Sequence, residues 1–222
     1  MNVVSVTEAQ SAGKGRRAYH SPRRREQAAR TRDAVLTAAY DLFVTRGYAR
    51  TSLPQVAAAA GVSVQTIEQV FGTKRRLLKS VLDVTRAGDD EPIAMLERAP
   101  AVTAAATGSA EEFLALLAAE IAVVAARVNA IVAVIHHAGG DPEIAELARE
   151  LDAERRAVAA WIVEGLHGRG RLDTRVDRDR AVDVVWVLLD PVVHQRLTHD
   201  CDWSAQAFSS WLADALSQLL RP

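Results

Sequence analysis

Apolar positions recur at three- and four-residue steps along most of this chain, the spacing that gives an α-helix one buried stripe. Val35, Leu36, Ala39, Leu42 and Phe43 form the first stripe and predict a helix over 32–46. Thr31 is placed to cap it, and Gly47 to end it. A second, short helix is predicted over 53–60. Thr51 or Ser52 caps it, and Pro54 is tolerated in its first turn, where no amide donor is needed. Gly61 then makes a turn, and Ser63 caps a third helix over 64–71. Gly72-Thr73 opens a fourth from Lys74 to about Arg86, with Leu77, Leu78, Val81 and Leu82 on its inner face.

Residues 87–108 contain Gly88, Pro92, Pro100 and Gly108 and predict a loop with at most one short helix. Ser109 and Glu112 fit a capping box that opens a long helix to about His137. Asp141-Pro142 starts another, to about His167, before Gly168 and Gly170. Two further helices are expected over 177–199, kinked at Pro191, and over 203–220. No alternating segment bounded by hairpin turns appears, and no internal repeat. The fold class is therefore all-α.

Charge divides the chain. Residues 1–80 carry 14 Lys+Arg against 5 Asp+Glu, and residues 81–222 carry 13 against 23, although the net charge is only −1. A basic head on an acidic body suggests that the head meets a polyanion. Residues 1–29, basic and poor in large apolar groups, predict a flexible arm; a merely solvated tail has the same composition. They lack the apolar core of a secretion signal. The longest apolar stretch, 121–135, is interrupted by Arg127 and Asn129 and is short of the roughly 20 residues a membrane span needs, so a buried helix is expected. The single cysteine, Cys201, rules out an internal disulfide, suits the cytoplasm and reads as inert rather than as a redox sensor.

Two short helices about a glycine turn are the physical content of a helix-turn-helix, whose second helix enters the major groove. With Val56, Ala57, Val62, Ile67 and Phe71 turned inward, Val64, Gln65, Thr66, Glu68 and Gln69 are left outward. Gln65 and Gln69 can pair with base edges, and Val64 can meet a thymine methyl. The hydroxyls of Thr51, Ser52 and Thr66 suit phosphate oxygens. Lys74, at the start of a helix, favours a phosphate through its charge and the helix dipole. Each of these residues alone is most simply a solvated side chain.

Residues 60–78, AGVSVQTIEQVFGTKRRLL, resemble the helix-turn-helix of the TetR (tetracycline-repressor) family, with its glycine-valine-serine turn, phenylalanine and lysine-led fourth helix. Residues 34–52, AVLTAAYDLFVTRGYARTS, resemble the same family's first helix, glycine-aromatic corner and threonine-serine cap. The resemblance is close over about residues 30–82. It implies a DNA-contacting role for Thr51, Ser52, Gln65, Thr66 and Lys74. It also implies a ligand-responsive repressor that binds a palindromic operator. Where the family carries an aromatic residue that holds a phosphate, this chain has Glu68. That carboxylate repels the backbone, reads a cytosine amino group, or pairs with a base such as Arg75.

The expected division is an arm over 1–29, a DNA-binding head over 30–82 and an effector-binding, dimerising body over 83–222. Apolar stripes on the last two long helices (Val184, Val185, Val187, Leu188 and Leu189; Phe208, Trp211, Leu212, Ala215, Leu216 and Leu219) fit either a monomer core or a dimer bundle. The resemblance implies the homodimer. His136, Trp161 and Trp186 are candidate contacts for an apolar small-molecule effector, each also readable as an ordinary core residue. His136 and His137 point about 100° apart on a helix and do not form a metal pair. No catalytic motif and no cofactor-binding loop is present, so neither enzyme, cofactor nor metal is expected. A protein of the same fold that binds ligands or serves as a scaffold, with weakened DNA binding, is the alternative.

Overall fold

The computed structural model describes residues 22–172 and 177–219, and these are helical without a strand. The four helices of the head are α1 (Pro22–Arg46), α2 (Leu53–Ala60), α3 (Val64–Phe71) and α4 (Lys74–Ala87). The body contains a 3₁₀ turn (Met95–Glu97), α5 (Ala99–Ala106), α6 (Ala110–His137), α7 (Pro142–Gly168), α8 (Arg178–Leu188), α9 (Pro191–Gln195), a π-helical turn (Arg196–Asp200) and α10 (Ala205–Leu219).

Predicted and observed elements differ most at two places, besides a 3₁₀ turn that joins the one short helix expected over 87–108 and a last helix that starts at Ala205 rather than 203. The first helix begins ten residues before position 32, so part of the expected arm is helix; the rest of the arm, 1–21, lies outside the described residues. Residues 22–31 are exposed wherever their side chains are described, apart from half-buried Thr31, and therefore show no apolar stripe. They are held by local means: Pro22 at the first position, good helix formers, and an Arg30–Glu26 pair at 2.7 Å. The second difference is at Pro191, where a break replaces the expected kink. Asp190 leaves the helical region and accepts from the Val192 amide at 2.9 Å, so it caps a new helix with Pro191 in its first turn.

Two apolar cores hold the chain. One joins Val35, Ala39, Phe43, Val56, Ile67, Leu77 and Leu78 of the head to Val128, Ile131 and Ile135 of α6 and Ile144 and Leu147 of α7. The other packs α5, the first half of α6, the end of α7, α8 and α10 around Phe113, Ile162, Val185, Phe208 and Leu212. The α6 helix enters both cores. By length and composition it is apolar enough to cross a membrane, beyond what the 121–135 stretch suggested; here the body packs around it. Its charged residues are few enough for that test, and only the packing tells a core helix from a span.

Candidate nucleic-acid interface and body cavity

The head's turns are built by residues suited to them. Gly47 and Gly61 adopt φ values of 79° and 68°, in the left-handed region that L side chains rarely enter. Ser63 caps α3 by accepting from the Thr66 amide at 3.1 Å, and its hydroxyl meets that of Thr66 at 2.8 Å. Ile67 and Phe71 are buried where α3 packs on α2 and α4, while Gln65, Glu68, Gln69 and Val70 face outward. Val64 and Thr66 are half-buried, so the reading face is narrower than the sequence suggested.

Thr51 requires a correction. It is buried, 1% exposed, and its hydroxyl lies 3.1 Å and 2.9 Å from the carbonyls of Leu42 and Gly47. It fastens the corner between α1 and α2, and its side chain does not reach the surface where a phosphate would lie. Ser52 beside it is exposed and caps α2, its amide donating to Gln55 Oε1 at 2.9 Å. Lys74 is aimed by Tyr48: its Nζ donates to the Tyr48 carbonyl at 3.1 Å and sits 3.9 Å from the ring centroid. Burial, reinforced by Glu143 and Asp141, pushes the Tyr48 hydroxyl up to about 12, so the ring stays neutral.

The motif alone did not point to Arg46, Arg50 and Arg76. All three are exposed and form no ion pair among the described residues, beside the α1–α2 corner and on the first turn of α4. With Lys74, they are the cations nearest α3 in sequence that form no ion pair among the described residues; Arg50 Nε donates to the Arg46 carbonyl at 2.8 Å. Their signal was the plain presence of arginine at solvent-facing positions. Arg75 is different: its Nε donates to the Glu143 carbonyl at 3.1 Å and its guanidinium meets Glu150 at 2.5 Å. It is committed to α7, which removes it as a partner for Glu68; Glu68 forms no ion pair among the described residues.

In the body, α4, α6, α7 and the 89–98 loop line a cavity of about 1270 Å³ that opens to solvent. Its walls include Leu82, Val124, Val128 and Leu151, and both His136 and Trp161 line it. Trp186 does not; it lies on α8 beneath the guanidinium of Arg155, 5.2 Å from the ring centroid, with its indole nitrogen buried and unpartnered. The α4 wall is tied to α7 by a charged cluster. Lys79 meets Asp83 and Glu154 at 3.1 Å, and Arg86 meets the same two at 3.0 and 2.8 Å. Burial alone would lower Lys79, but the two carboxylates outweigh it and hold the ammonium above its ordinary value. For Glu154, burial is likewise outweighed, by Arg86 and Lys79, and its carboxyl is held below the usual range.

The apolar stripes read as dimer material are unevenly buried, with Leu188, Leu189, Trp211 and Ala215 half-buried. Val185, Phe208, Leu212 and Leu216 are buried within the chain's own core, whereas Val184 and Val187 are exposed. Stripe position alone does not separate a helix's two packed faces.

Residues 35–81 match the family model for bacterial regulatory proteins, tetR family. No curated protein matches the chain. Among solved structures, NalD of Pseudomonas aeruginosa, the secondary repressor of the MexAB-OprM multidrug efflux pump, is 18% identical, with a TM-score of 0.64 over 87% of this chain and 98% of its own. FadR of Bacillus subtilis, solved with stearoyl-CoA, is 18% identical, with a TM-score of 0.64 over 83% and 97%. A Syntrophomonas wolfei protein described as a TetR-family regulator is 14% identical, with a TM-score of 0.70 over 86% and 95%. At these identities the likeness speaks for the fold, and the head match speaks for the family. Over residues 35–81 the chain matches the model of the bacterial tetR regulatory family, and it has the fold of solved regulators such as NalD and FadR.

Proposed function

We propose that the chain is a ligand-responsive transcriptional repressor that binds a palindromic operator as a homodimer and lets go when an apolar effector occupies the body cavity. Residues 22–82 serve as the head, with α4 as its link, and the remainder as the sensing and dimerising body. The carrying observation is the outward face of α3, with Gln65 and Gln69 exposed on a short helix whose other side is locked into the head core. Repression needs only occupancy of a promoter.

Release follows from geometry. The α4 helix forms a cavity wall through Leu82, Asp83 and Arg86, and its first residue lies three positions after the last of α3. An occupant that prefers a displaced α4 shifts the head away from its DNA-bound placement, and operator must weaken effector by the same factor. The solved relatives make the cavity reading natural, since FadR of Bacillus subtilis is held with stearoyl-CoA. Exposed Val184 and Val187 on α8 supply apolar surface for the second subunit.

Fluorescence anisotropy with duplexes from the gene's own upstream region and scrambled controls tests the reading. Specific binding should appear and fall by orders of magnitude between about 50 and 200 mM salt. Equal, weak binding to every duplex would leave a helical ligand-binding protein in its place, with Glu68 as the residue that cost it DNA.

A further inference from the structure

The charges around the cavity say what kind of occupant it suits. Its lining holds five Lys and Arg side chains, each already matched within the chain, besides the exposed His136, which forms no ion pair among the described residues. Arg32 pairs with Asp90, and Arg98 meets both oxygens of Asp89 at 2.7 and 3.0 Å. Lys79 and Arg86 share Asp83 and Glu154. Arg155 lies 2.9 Å from Asp152 and 3.0 Å from Asp190; its Nε is a spare donor, but its charge is balanced twice. The lining carries eight carboxylates. Three of them, Glu91, Glu97 and Glu120, form no ion pair among the described residues. Glu91 and Glu97 are exposed on the loop. Glu120 is half-buried in the middle of α6, between Leu117 and Ile121, which line the same wall.

A carboxylate among apolar walls is costly unless matched, and an anion brought beside it costs more. Trp161, half-buried on the same lining, supplies an aromatic face of the kind that attracts cations. We propose that the cavity selects a bulky apolar cation, with Glu120 as its counter-charge, and discriminates against anionic ligands of equal size. This rests on the reading of the cavity as the effector site. Its volume exceeds the roughly 300–1,000 Å³ of common ligand pockets, so a large hydrocarbon body fits.

Isostere titration separates the two ideas. Calorimetry on the full chain would compare tetraphenylphosphonium, tetraphenylborate and neutral triphenylphosphine oxide. The expected order is cation tightest, with tetraphenylborate at least tenfold weaker. Glu120→Gln should weaken the phosphonium about tenfold, leave the neutral probe unchanged and narrow the gap to the borate. The unchanged neutral probe doubles as the check that the variant is folded. Borate binding as tightly as phosphonium, or phosphonium binding indifferent to Glu120→Gln, would overturn the charge preference while leaving the sensor reading intact. If none of the three probes binds, the cavity is not a ligand site for such bodies, and both ideas fall.

Discussion

Head and body use the same helical grammar to opposite ends. In the head every helix is short or singly striped, the turns are left-handed glycines, and Phe43, Ile67, Leu77 and Leu78 are all fully buried. In the body, long helices stand apart around a void of about 1270 Å³ and are braced by ion pairs. The head must present α3 in one geometry, because base reading fails when donors move by an ångström. On the proposed reading the body must accommodate an effector, and a filled core would leave no room. Rigidity and vacancy are thus divided between two ends of one chain.

The sharpest way to break the contrast is to hollow both ends. Phe43→Ala should lose about 3–5 kcal/mol of unfolding free energy and abolish operator binding. Val124→Ala, on the cavity wall, should cost under about 1 kcal/mol, because its methyls already face empty space on one side. Chemical denaturation reads both. Similar losses would mean that the void is filled in solution.

Next in size is the reading face. Gln65→Ala should cost about 1–3 kcal/mol on operator and little on scrambled DNA. Thr51→Val should do the reverse of a contact mutation: about 1 kcal/mol of stability is lost with the corner hydrogen bond, while operator specificity and salt slope persist. A change in salt slope for Thr51→Val would return that residue to the interface.

The departure at Glu68 follows. Glu68 is exposed, and Arg75 is engaged elsewhere, so repulsion and cytosine reading are the routes left open. Glu68→Tyr should tighten binding to all DNA by about 1 kcal/mol. Loss of specific binding alone would assign Glu68 to a cytosine, and no change in either would leave it solvated.

The smallest effect concerns His194 in the body. It is buried against Phe208 and bonded to Asn129 at 3.1 Å, and desolvation pulls its pKa below the ordinary value. Because the unfolded chain takes up that proton first, stability is fully present above about pH 6.5 and falls as pH drops from there towards the lower folded value. Melting curves of wild type and His194→Gln should therefore shift in favour of the variant between about pH 7 and 5.5. A constant difference would remove His194 from the pH response.

What could be read in advance follows the same divide. Gly61, Ser63 and Gly72 each have one conformational use, so the bounds of α2 and α3 and the start of α4 were legible to the residue. Thr51 misled because a threonine at a helix start is chemically fit both for a phosphate and for a buried carbonyl; only its surroundings choose. Residues 22–31 were illegible as helix, since a helix without large apolar residues has no stripe. The cavity was illegible altogether: Leu82, Val124 and Trp161 look like core residues, and a void is the absence of a neighbour. Trp186 and Trp161 are alike in sequence context, yet only Trp161 reaches that space.

The core joining α1–α4 to the ends of α6 and α7 bears on how such proteins can be recombined. Val128, Ile131, Ile135, Ile144 and Leu147 lie in the same apolar cluster as Phe43 and Leu78, more than forty residues beyond the head in sequence. A transplant cut at residue 82 would strip the donor head of a side of its interior and expose that surface to water. The unit that travels intact is discontinuous: the head together with the α6–α7 corner, roughly 128–151. Chimaeras that exchange both pieces should express as soluble proteins, and those that exchange the head alone should aggregate unless the recipient's corner has the same shape.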